Sequence, residues 1–290
     1  MKILYTSDGS ERSRAALPHA ARLAQASGSK LNALRVLDRR MDLGGELATS
    51  VKKASDTVAS QWTEALLAEA KEAGLTVEPI VEPKRRREDT AAAVLRVAEA
   101  EDASVVVMAT RGSGALRHAL LGSVAMTVLG HSEIPVMLTG ERIAPPRGGE
   151  QPYHVLITTD GSAASAAVWP AFRRVFRRAG GHDIKVTLLR IHAPATGDAR
   201  TELGTLDAEW QLAQFRRSLP RRLEAESLVR TIETLGGVDS AILTAAEETG
   251  ADTIWMASHG HSLRRHLLAG SVALGVVSRS PVPVTLVRVD

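Results

Sequence analysis

The sequence contains no cysteine. Disulfides, thiolate metal ligands and cysteine nucleophiles are therefore excluded, and the composition suits a reducing compartment, with the cytoplasm as the expected address. Aromatic residues are scarce at 3%, which leaves few platforms on which unpaired bases could stack. The one strongly basic run, Lys84-Arg85-Arg86-Arg87, is closed at once by Glu88-Asp89. Both observations argue against nucleic acid as a partner despite a formal charge of +3. No apolar run approaches the ~18 residues of a membrane span, and Ile3-Leu4-Tyr5 ahead of Asp8 is too short for a signal-peptide core, so no membrane association is expected. Two reaction signatures are also missing. There is no G-x-x-x-x-G-K-[ST] loop to bring the lysine and hydroxyl of a P-loop hydrolase, and no G-x-S-x-G nucleophile elbow. No residue is assigned a catalytic role.

What is present is a duplication. The 290 residues suit two domains at about 150 residues each. Gly112, His118, Gly122, Ser123 and Pro135 recur as Gly260, His266, Gly270, Ser271 and Pro283 at an offset of 148. Nearer the front, Asp8-Gly9-Ser10 and Pro18 recur as Asp160-Gly161-Ser162 and Pro170 at an offset of 152. The Pro- and Gly-rich stretch from Thr139 to Pro152 reads as a surface connection, which divides the chain into domains 1–140 and 153–290 joined by residues 141–152.

In the first half, short apolar runs predict strands over Lys2–Thr6, Leu31–Leu37, Thr76–Val81, Ser104–Ala109 and Ile134–Leu138. Helices are predicted between them. Ala16, Ala20, Leu23 and Ala24 share one face of the first, Ser10 is its expected cap, and Pro18 should kink it. Val51, Val58, Trp62 and Leu66 form a stripe on the second, which places Trp62 in the core. Thr90–Glu101 and Gly122–His131 supply two more. The second half repeats the plan with strands over His154–Thr158, Lys185–Ile191, Leu228–Glu233, Thr253–Ala257 and Val282–Val287. Pro220 is expected to divide the polar stretch 200–225 into two helical pieces. Strands too continuously apolar to face water predict a parallel sheet covered by helices on both sides, with a ligand at the carboxyl edge of strands one, two and four. The fifth strand of each half would be an open edge, so the two halves are expected to pack on each other.

The repeated stretch has a chemical meaning. Ala109-Thr-Arg-Gly112 and Ala257-Ser-His-Gly260 each end an apolar run, and Gly122-Ser123 and Gly270-Ser271 follow after nine intervening residues. Glycines admit close approach of backbone to a ligand, and a helix start presents unpaired N–H groups and positive dipole, which suits phosphate. Asp8 and Asp160, ending the first strand of each half, could accept two hydrogen bonds from a sugar diol or simply turn the chain with the following glycine. Ser123 and Ser271 could cap their helices, contact phosphate, or both. Arg111, Arg117, His118, Arg265 and His266 surround the same loop as candidate phosphate contacts. His259 and His261 form a His-x-His, but Arg111 and Ser113 stand there in the first copy and no third ligand is evident, so no metal site is assigned.

On these residues both halves resemble universal stress protein domains of the ATP-binding type. The family pattern is G-x-x-G, nine residues, then G-[ST], and here Ala109 and Ala257 replace the leading glycine. The resemblance implies two Rossmann-like α/β domains, each a five-stranded parallel sheet with helices on both faces. It implies ATP, with or without Mg2+, as the ligand. Asp8 and Asp160 would hold the ribose or the adenine edge, Val36 and Ile191 would meet the base, and Met108 and Met256 would flank it. It extends nucleotide binding to Thr6, Ser7, Ala109, Arg111, Gly112, Gly122, Ser123 and Val124. Their counterparts are Thr158, Thr159, Ala257, His259, Gly260, Gly270, Ser271 and Val272. By the same resemblance the two halves would form a pseudo-dimer within one chain, with Val136–Leu138 and Val284–Leu286 as the pairing strands, and a homodimer of chains is also open. Three functions follow as expectations: a nucleotide-dependent stress-response regulator, a nucleotide-free interaction scaffold motivated by the two alanines, or a slow ATP hydrolase.

Overall fold

A computed structural model of the chain describes residues 1–37, 46–111, 121–148, 151–180, 183–192, 206, 209–210, 212–214, 216–217, 224–231, 237–259 and 269–289. The first half runs β1 (Lys2–Thr6), α1 (Glu11–Ser27), β2 (Lys30–Leu37), α2 (Glu46–Glu72), β3 (Glu78–Pro83), α3 (Thr90–Ala100), β4 (Ala103–Ala109), α4 (Ser123–His131) and β5 (Val136–Thr139). The second contributes β6 (Tyr153–Thr159), α5 (Ala163–Ala166), α6 (Val168–Val175), β7 (Ile184–His192), β8 (Glu224–Thr231), α7 (Val238–Thr249), β9 (Thr253–Ala257), α8 (Ser271–Arg279) and β10 (Val284–Val287). Arg117, His118, His261, Arg265, His266 and Pro220 lie outside the described residues.

The strands form one ten-stranded sheet in the order β3-β2-β1-β4-β5-β10-β9-β6-β7-β8. The strand pairs within each half are parallel. The halves meet where β5 and β10 pair antiparallel, Val284 opposite Leu138, Thr285 opposite Met137 and Leu286 opposite Val136. This is the pairing expected of two edges that water would otherwise hydrate. Because side chains alternate across a strand, the sheet divides its apolar residues between two layers. Ile3 and Tyr5 of β1 pack with Ala16, Ala20 and Leu23 of α1, in one cluster with Tyr153, Phe172 and Trp255 of the second half. Leu4 faces the opposite layer with Val94 of α3 and Val128 of α4, continuous with Leu156, Ile242 and Val276. Helix α1 also packs on β6 and α6 on β4, so each core crosses the boundary between halves. No helix among the described residues is long and apolar enough to cross a membrane.

Four local expectations are corrected. The third strand lies at Glu78–Pro83 rather than Thr76–Val81, because pairing with β2 places Glu78 beside Asn32 and Pro83 beside Leu37. Prolines 79 and 83 are tolerated there because β3 is an edge. The eighth strand starts at Glu224, opposite Lys185, rather than at Leu228. Helix α1 continues through Pro18 as expected, but its twin does not behave alike and is divided at Ala167. Breaking there puts Pro170 in the first turn of α6, where no N–H is needed. Thr139 belongs to β5, fully buried, and the connecting segment after it is pinned to both halves. The Ala144 N–H donates to the Pro281 carbonyl at 2.8 Å, and His19 Nε2 bonds the Ala144 carbonyl at 2.9 Å.

Candidate functional site

Each half carries a cavity at the carboxyl edge of its strands, of about 420 Å³ in the first and about 310 Å³ in the second. Both volumes fall in the range of small-molecule sites. Their foundation is the first turn of each half. Gly9 and Gly161 both have φ 79°, a conformation that a side chain resists. Asp8 Oδ1 accepts the Ser10 N–H at 3.0 Å, and Asp160 Oδ1 accepts the Ser162 N–H at 2.9 Å. The aspartates therefore do turn the chain, and both also line their cavities. Ser10 and Ser162 cap the helices that follow, accepting from the N–H groups of Ser13 and Ser165. Beneath the first turn, Tyr5 donates its hydroxyl to the Ser13 carbonyl at 2.8 Å. Burial pushes the phenol up to about 12, so it stays neutral.

The glycine loop is closed at its base in the same way twice. The Gly122 N–H donates to the Thr110 carbonyl and the Gly270 N–H to the Ser258 carbonyl, each at 2.7 Å. The helix caps are Gly122 and Gly270, with no side chain bonded over the first turn of α4 or α8. The expectation that Ser123 and Ser271 cap these helices is thereby corrected. They are the first helical residues and stand exposed at the cavity. Among the described residues no side chain caps the first turn of either helix, an arrangement suited to receiving an anion. Ala109 and Ala257 end their strands without the positive φ that would demand glycine.

The cavities collect the expected residues. Thr6, Ser7, Asp8, Val36 and Met108 line the first, with Ala109, Arg111, Gly122, Ser123 and Val124. Thr158, Thr159, Asp160, Ile191 and Met256 line the second, with Ala257, His259, Gly270, Ser271 and Val272. Gly112 and Gly260 lie outside the described residues.

Other wall residues were not expected. Trp62 lines the first cavity rather than lying fully in the core. Arg35 stacks over it, guanidinium carbon 4.9 Å from the ring centre, in a cation–π contact. Thr90, at the start of α3, completes that wall, and Val238 and Ile242 of α7 give the second cavity a more apolar one. The signal for Arg35 was in the duplication, since Arg190 precedes Ile191 as Arg35 precedes Val36. Arg111 Nη1 donates to Glu141 Oε1 at 2.7 Å, while Ser258 Oγ lies 3.1 Å from His259 Nδ1. Among the described residues no group of three or more His, Asp or Glu is placed to hold a metal ion.

Comparison with known proteins agrees with this architecture. The family model described as Universal stress protein family matches residues 1–140 and again 153–288. Universal stress protein Slr1230 of Synechocystis is 26% identical over 315 residues, covering 99% of this chain and 99% of its own. Universal stress protein Rv1996 of Mycobacterium tuberculosis is 28% identical over 203 residues, 64% of this chain, and the match spans 59% of that relative's length. Among solved structures, a universal stress protein from Archaeoglobus fulgidus shares the fold with a TM-score of 0.64, at 21% identity over 99% of this chain and 96% of its own. The chain belongs to the universal stress protein family and carries the family's domain twice.

Proposed function

We propose that the chain binds ATP or a related adenine nucleotide in one or both cavities and that occupancy regulates its contacts with other molecules in a stress response. The observation that carries this reading is the pair of glycine-capped helix starts opening onto cavities that also present an aspartate. First-turn amides of α4 and α8 would receive the phosphates, with Arg111 or His259 beside them. Asp8 and Asp160 would accept from the ribose hydroxyls. Val36 and Ile191 would meet the base, and Met108 and Met256 would flank it. Residues 1–140 and 153–290 would act as two domains joined by 141–152, a dimer-like unit within one chain. ATP would enter with or without Mg2+. The missing P-loop lysine supports binding rather than rapid hydrolysis, and the cysteine-free composition supports a cytoplasmic location. The scaffold alternative rested on Ala109 and Ala257, and it draws no support from backbone that alanine adopts without strain.

Calorimetry tests the proposal. ATP should bind the full chain, and Gly122→Val should remove binding at the first cavity. A Cβ there would stand 3.3 Å from the Thr110 carbonyl oxygen, and the two further methyls would crowd the loop closure and the phosphate position. Absence of heat at millimolar ATP would refute the proposal.

A further inference from the structure

A carboxylate from the connecting segment reaches a cation of the first cavity. Glu141 Oε1 accepts from Arg111 Nη1 at 2.7 Å and lies 2.9 Å from Arg12 Nη2. Only 14% of the Arg111 side chain is exposed, yet its Nε is buried without a hydrogen-bond partner among the described residues. Among the described residues Arg111 therefore makes a single ion pair and has no acceptor for the N–H that guanidinium groups use in paired recognition of phosphate.

We propose that Glu141 is a specificity-determining residue of the first cavity, competing with nucleotide phosphates for Arg111 so that the cavity selects ligands by the charge of their phosphate tail. The proposal rests on the nucleotide reading of that cavity. A single phosphate exchanges one anion for another beside a carboxylate that repels it. A triphosphate brings several charges and enough oxygens for both Nη1 and Nε. When Arg111 turns to it, Arg12 keeps Glu141 paired, so the exchange leaves no carboxylate stranded.

Glu141 also stands beside the joint between halves. It follows Gly140, where a Cβ would lie 2.9 Å from the Val277 carbonyl oxygen of α8. It precedes Ala144, which is bonded to Pro281 and to His19.

The test is calorimetry of the full chain with ATP, AMP and adenosine, for the wild type, Glu141→Gln and Glu141→Ala. Glu141 is 46% exposed on its side chain, and thermal melting verifies that both variants fold. Both should raise AMP affinity at one site about tenfold, the weight of one hydrogen bond between charged groups. ATP should gain less and adenosine should be unchanged. An ATP-to-AMP affinity ratio that stays the same or rises in either variant overturns the proposal and leaves nucleotide binding standing. A wild-type chain that binds none of the three ligands overturns both.

Discussion

Acid should loosen this protein at His19, by an amount the structure sets. His19 sits on α1, 5% exposed, with Nε2 bonded to the Ala144 carbonyl at 2.9 Å. Burial holds its pKa at about 4, against 6.5 for an unhindered histidine. A lowered histidine means that the unfolded chain takes up its proton first. The stabilising effect of the neutral ring is therefore complete above about pH 6.5, declines as pH falls and is exhausted near about pH 4. The gap amounts to about 2 kcal/mol at about pH 5 and about 3 kcal/mol near pH 4. The assay is urea unfolding of the wild type and His19→Gln across that range. Glutamine keeps an N–H for Ala144 and has no proton to gain, so the difference between the two stability curves should change as pH falls, with the wild type losing about 2 kcal/mol more by about pH 5. Parallel curves would refute the reasoning, because the wild type's acid sensitivity would then lie elsewhere.

Two further outcomes are expected, at the junction of the halves and in the first cavity. Thr285 is fully buried at the junction of the halves, opposite Met137, and its hydroxyl has no hydrogen-bond partner among the described residues. Thr285→Val keeps the shape and removes the stranded group, and should stabilise the chain by about 1 kcal/mol in chemical denaturation. A loss of stability would show that the hydroxyl is bonded. Trp62→Ala removes one wall of the first cavity and the ring beneath Arg35. It should weaken ATP at one site about tenfold, and titration curves that superimpose on the wild type would place Trp62 outside the ligand's reach.

The sheet was legible in the sequence because its strands are buried on both faces, and a run such as Ser104–Ala109 has only one good solution. That the halves pack on each other was legible because each apolar last strand would otherwise be an open edge. The identity of the pairing strands, β5 and β10, came from the family resemblance. The edges were harder to read. β8 begins with Glu224-Ala225-Glu226-Ser227, where polarity hides a strand that only its pairing with β7 defines. Pro18 and Pro170 look alike in sequence, yet one is accommodated in a long helix and the other breaks its helix. That difference depends on where each proline falls along the packed helix, which local pattern does not record.

The cavities divide in the same way. Strand ends and glycines could be placed from the repeat alone, because topology delivers them to one edge. Trp62 and Arg35 could not, since helical spacing marks Trp62 as apolar-facing without saying whether that face meets core or cavity. Glu141 is more distant still. It lies beyond the loop motif and reaches Arg111 only through the turn after β5.

The central claim is that a nucleotide sits against the open helix starts at Gly122 and Gly270. Native mass spectrometry of the intact chain with millimolar ATP addresses it directly. The account predicts a mass increase of one adenine nucleotide for each occupied half, diminished by Gly122→Val or Gly270→Val. A chain that remains at its unliganded mass would contradict it.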